Sequence, residues 1–64
     1  MIIRLHRIRY RDTLERLSEQ YYGTREFAMV IYRHNSHYLD NPNYLTVGQE
    51  IVIPHLPIGA MRLG

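Results

Sequence analysis

The sequence predicts an α+β domain: two strands paired antiparallel and packed on a helical hairpin, in the order strand, helix, helix, strand. Three observations predict it. Apolar and basic residues alternate from Ile2 to Tyr10; apolar residues recur at helical spacing through 13–22 and 24–35, on either side of Gly23; and a second alternating run, Glu50-Ile51-Val52-Ile53-Pro54, closes the pattern. Strands so far apart in sequence pair across the helices between them, which cover one sheet face and leave the other uncovered or partner-bound.

The first strand is expected over 2–10, with Ile2, His6, Ile8 and Tyr10 on one face and Ile3, Leu5, Arg7 and Arg9 on the other. Apolar side chains on both faces mean that Ile3 and Leu5 either close the core or pack on a neighbour. Asp12-Thr13-Leu14-Glu15 starts the first helix, at 13–22, as an Asp version of the capping box. Leu14, Leu17 and Tyr21 form its inner stripe, and Gly23 suits a left-handed C-terminal position. Thr24 caps the second helix, at 24–35, whose inner stripe is Phe27, Val30, Ile31 and His34. From Ser36 to Gln49 the chain is rich in Asn, Asp, Ser, Pro and Gly and is expected to be loop, held to the core by Leu39, Leu45 and Val47. The second strand, 50–54, stops at a proline that cannot donate to the ladder. One domain, 1–54, is expected, followed by an extended arm at 55–64.

At 64 residues, 45% hydrophobic and without cysteine, the chain holds a small core that no disulfide or thiolate-bound zinc supplements. The net charge of +2 selects no partner by itself. All the basic residues are Arg, the side chain suited to planar, desolvated contacts at interfaces. The start, Met1-Ile2-Ile3-Arg4-Leu5-His6-Arg7, lacks the apolar stretch of a signal peptide, and no run approaches the roughly 20 residues of a membrane span, so synthesis in the cytoplasm and no membrane partner are expected.

The series His6-Arg7-Ile8, Asp12-Thr13-Leu14, Leu17-Ser18, Tyr22-Gly23-Thr24, Ile31, Asn35, Asn41-Pro42-Asn43-Tyr44-Leu45, Gly48-Gln49 and Ile51-Val52-Ile53-Pro54 closely resembles the LysM module, in order through residues 6–54. That resemblance implies the same strand-helix-helix-strand fold. It also implies a shallow groove for N-acetylglucosamine polymers, peptidoglycan or chitin, between Arg11-Asp12-Thr13-Leu14 and the loop holding Asn41, Pro42, Asn43, Tyr44 and Leu45. Backbone amides and carbonyls there would bond the acetamido groups, and Pro42 or Tyr44 would meet a sugar face. Arg11 stands where the family usually has Gly, which adds a charged side chain at the groove's rim. The Tyr21-Tyr22-Gly23 joint and the long second helix look most like the solitary LysM-like proteins of contractile phage tails and related injection systems, the tail protein X class. That resemblance implies a virion tail or baseplate location, with other tail proteins as partners and peptidoglycan as a further one.

Arg4, Arg7, Arg9 and Arg11 crowd the first strand, and an interaction edge is the preferred use of them; a solvated strand that resists aggregation is the plainer one. With Ile3, Leu5, Tyr32, Tyr38 and the arm residues Leu56, Ile58, Met61 and Leu63, the arginines make the candidate docking set. Nucleic acid is disfavoured, because no helix-turn-helix or stacking platform accompanies the arginines. His34, His37 and Asp40 have metal-ligand spacing only on a continuous helix, which Asn35 and Ser36 interrupt, so no metal is expected. Glu15 and Glu19 face outward beside Arg16, and Ser18 and Ser36 lack a base in any triad pattern. No catalytic residue and no cofactor are expected, and the chain is not expected to be an enzyme.

Overall fold

The computed structural model describes residues 4–56. Strand β1, Arg4–Arg7, and strand β2, Glu50–Ile53, form a two-stranded antiparallel sheet, and between them come α1, Leu14–Tyr22, a 3₁₀ turn, Arg25–Phe27, and α2, Ala28–His34. This is the α+β, strand-helix-helix-strand arrangement that the periodicities predict. The register pairs Arg4 with Ile53, Leu5 with Val52, His6 with Ile51 and Arg7 with Glu50. Ile8, Leu14, Leu17, Ala28, Ile31, Leu39, Ile51 and Ile53 make the core, all on the helical side of the sheet. Leu5 lies on the opposite face and is 61% exposed.

Strand β1 stops sooner than the expected 2–10. Ile8 still bonds across the sheet, its amide donating to Gln49 O at 2.8 Å and its carbonyl accepting from Gly48 N at 2.8 Å. The chain then turns at Arg9, whose amide donates to the Asp12 carboxylate at 2.8 Å, and Arg11 takes φ 74°. The turn swings Tyr10 away from the Ile8 face, so Tyr10 is exposed rather than inward. Ile3 lies outside the described residues.

The cap of α1 is Thr13, not Asp12: the Thr13 hydroxyl accepts from Arg16 N at 3.1 Å, while the Asp12 carboxylate is committed to His6 and Arg9. Gly23 ends the helix at φ 80°, its amide donating to Glu19 O. The second helix is not continuous over 24–35. Thr24 does cap it, accepting from Glu26 N, but the first turn is 3₁₀ and Phe27, at φ −101° and ψ 17°, separates it from α2, its amide donating to the buried Ser18 hydroxyl. Ser18 in turn donates to Thr24 O, so one hydroxyl holds the joint between the helices. Ala28 and Ile31 therefore carry the buried stripe of α2, and His34 is exposed.

Asn35, completely buried, ends α2 and ties it to the sheet. Its side-chain amide donates to Ile31 O at 2.7 Å and Val52 O at 2.8 Å, and its side-chain oxygen accepts from Val52 N at 2.8 Å. Leu39 and Leu45 pack on the core as expected; Val47 does not, being 63% exposed beside Gly48. Leu56, in the segment expected as an arm, is buried at 7% exposure. Among the described residues no helix is long and apolar enough to cross a membrane.

Candidate functional site

The end of β1 is joined to the end of the loop before β2 where Ile8 pairs with Gln49 and Gly48. In the first loop a buried imidazole sets the backbone. His6 shares β1's inward face with Ile8, and its Nε2 lies 2.8 Å from Asp12 Oδ2 while Nδ1 lies 2.7 Å from the Tyr21 hydroxyl. Its ring meets the Tyr21 ring edge to face at 5.6 Å. Partial burial works to raise the Asp12 carboxyl, but the His6 hydrogen bond, the Arg9 amide and the charges of His6 and Arg9 together hold it below its usual 3.8.

These contacts sort the first loop's residues. The Asp12 carboxylate and Thr13 hydroxyl have internal partners, and the Leu14 side chain is core. The exposed Arg11 guanidinium lies 5.6 Å from the centre of the Tyr10 ring. A ligand here would meet main-chain groups and Arg11.

In the second loop Asn41 makes a side-chain-supported turn: its Oδ1 accepts from Asn43 N at 2.8 Å and its carbonyl from Tyr44 N at 3.1 Å. Pro42 is half-buried and Leu45 packs on the core, whereas Asn43 is exposed and the Tyr44 ring is 76% exposed. A second turn follows, Gln49 N donating to Thr46 O at 3.1 Å with Gly48 at φ 91°. The two loops are thus fixed turns, one carrying an exposed guanidinium and the other an exposed aromatic ring.

The LysM domain family model matches residues 6–54, through both loops and all four elements. The chain belongs to the LysM domain family. A LysM module binds peptidoglycan or other proteins in general terms. The curated proteins and the solved structures yielded no match to the chain.

The candidate docking residues divide. Leu5, Arg7 and Arg9 lie exposed along β1 and its end, with Arg7 donating to Gly48 O at 3.1 Å and lying 3.7 Å from Glu50. Arg4 lies 5.5 Å from the centre of the Tyr21 ring. Tyr38 is exposed, Tyr32 is half-buried against the core, and Leu56 is buried. The last two are pulled in by apolar area that so small a domain must cover for itself. Ile58, Met61 and Leu63 lie outside the described residues.

A cleft of about 290 Å³ opens between Arg4, Tyr21, Tyr22 and Leu56. Burial raises the Tyr22 phenol above its usual 10.0, and the hydroxyl donates to Pro54 O. His34 bonds Val30 O through Nδ1 at 3.0 Å, and among the described residues no group of His, Asp and Glu gathers for a metal ion. Sequence reasoning missed His6 and Asn35 as structural polar residues. The alternation that places His6 beside Ile8 on the inner face was the available signal for the first.

Proposed function

We propose that this LysM module is a non-enzymatic structural adaptor in a phage-like contractile tail or baseplate, made in the cytoplasm and resident in the particle. The carrying observation is Leu5: an apolar side chain exposed on the uncovered sheet face, with Arg7 beside it and Arg9 beyond. An exposed apolar side chain ringed by arginines suits a protein neighbour, since Arg is enriched at interfaces and its planar donors survive desolvation. The tail setting is supported by the resemblance of the Tyr21-Tyr22-Gly23 joint to tail proteins. In purified particles the chain is expected at a fixed ratio to tube and baseplate subunits, and Leu5→Glu is expected to remove it. Particles complete without the chain would overturn the adaptor role.

A second function, peptidoglycan binding by the loops Arg11–Leu14 and Asn41–Leu45, is favoured by the outward Tyr44 ring, which offers a sugar an apolar face. Co-sedimentation with purified peptidoglycan tests it. Retention that drops in Tyr44→Ala supports it, and equal retention of both proteins rejects it.

A further inference from the structure

The two free edges of the sheet are not equivalent. On β2, Val52 directs its N–H and C=O away from β1, and both are taken by the Asn35 side chain, which occupies the place of a third strand. On β1, the Leu5–Val52 pair is therefore one of the non-hydrogen-bonded pairs of an antiparallel ladder, and Ile8, which does bond across, confirms the phase. The N–H and C=O of Leu5 and Arg7 consequently point outward. Among the described residues nothing bonds them.

We propose that the β1 edge, at Leu5 and Arg7, accepts an added strand: an extended acidic segment of another protein, which pairs its backbone with these two residues. The inference rests on the adaptor role above and names its mode of contact. Charge selects the occupant. Arg7 and Arg9 lie exposed along this edge with Leu5 on the same outer face, so the incoming strand carries acidic side chains opposite the arginines and an apolar one opposite Leu5. A second copy of this chain would instead bring a second set of Arg4, Arg7, Arg9 and Arg11 to the same edge, an accumulation of like charge that an acidic strand avoids. Backbone bonding supplies affinity, and the alternating side chains supply choice.

The test titrates the full ¹⁵N-labelled chain with a short blocked peptide of alternating Val and Glu, alongside the Val–Lys counterpart and a Val–Glu peptide N-methylated at alternate amides. Saturable binding of the acidic peptide is expected, with amide exchange at Leu5 and Arg7 slowed by about tenfold or more. Both control peptides are expected to fail. Arg7→Glu combined with Arg9→Glu is expected to weaken binding of the acidic peptide by about tenfold or more and to gain the Val–Lys peptide. The N-methylated control leaves the protein untouched, so the test survives if the double variant does not fold. Absence of protection at Leu5 and Arg7, equal binding of the Lys peptide to the unaltered chain, perturbation confined to Asn41–Leu45, or protection that grows with protein concentration alone would each overturn the proposal. Particle incorporation separates the two claims. A double variant that assembles normally sinks the strand-addition mode alone; an unaltered chain that binds peptide yet never enters particles sinks the adaptor role alone.

Discussion

His6 is joined to Asp12 by a 2.8 Å contact inside the domain, and the same ring reaches the Tyr21 hydroxyl at 2.7 Å. One imidazole thereby connects β1, the turn before α1 and the last turn of α1. That turn carries the first loop of the candidate site, so its shape depends on a residue outside it.

Removing the carboxylate by Asp12→Ala is expected to cost about 2 kcal/mol, because the Arg9 amide and the His6 ring lose a charged acceptor. The pH dependence has a fixed sign. The folded carboxyl lies below the unfolded value near 3.8, so its contribution is complete above that value and disappears as pH falls through the folded one. Urea unfolding of wild type and Asp12→Asn should show a stability gap that narrows as pH falls from the unfolded value through the folded one.

Arg11 holds φ 74° without the freedom of glycine. Arg11→Gly is expected to raise stability by about 0.5–1 kcal/mol, the relief of left-handed strain exceeding the lost contact with Tyr10 and the added unfolded-state entropy. Arg11→Val is expected to lower it by about 1–2 kcal/mol, since a β-branched side chain fits that region poorly. Denaturant midpoints of the three proteins check the ranking.

Asn35→Ala strips partners from both polar groups of Val52 and from Ile31 O at once. The expected loss is about 3 kcal/mol, a large share of what a domain of this size possesses. Circular dichroism and amide dispersion should report a partly unfolded chain. Asn35→Asp keeps the acceptor for Val52 N but loses both donors, and is expected to recover little.

Leu5 and Leu56 make a paired test of surface against core. Leu5→Ser is expected to change stability by less than about 0.5 kcal/mol while weakening docking. Leu56→Ala is expected to cost about 2–3 kcal/mol, as a buried leucine truncated in a small core does. Thermal melts distinguish them; a Leu56→Ala melt equal to wild type would return Leu56 to the exposed arm.

Much of the fold was legible because the periodicities are local. Leu14 and Leu17 on α1, Ile31 on α2, and Ile51 and Ile53 on β2 all lie inward as their spacing predicts. Gly23 also sits where a left-handed stop was expected. The boundaries that failed did so through side-chain hydrogen bonds that propensity does not register. The Ser18 hydroxyl accepts from the Phe27 amide at the joint between the 3₁₀ turn and α2, and Asp12 turned to His6 and left the cap to Thr13. At the candidate site the residues were identifiable but not their exposure. Tyr44 and Tyr32 are the same residue type and both were candidates for exposed contacts, yet one projects outward and the other packs on the core.

By itself the sequence determined the order of elements, the inward stripes and the membership of the two turns, because each follows from residues a few positions apart along the backbone. Only the tertiary structure decided that Asn35 closes one sheet edge while among the described residues nothing pairs with Leu5 and Arg7 on the other, and that His6 anchors the turn before α1. These depend on groups far apart in the chain meeting within hydrogen-bond distance, which no local pattern encodes.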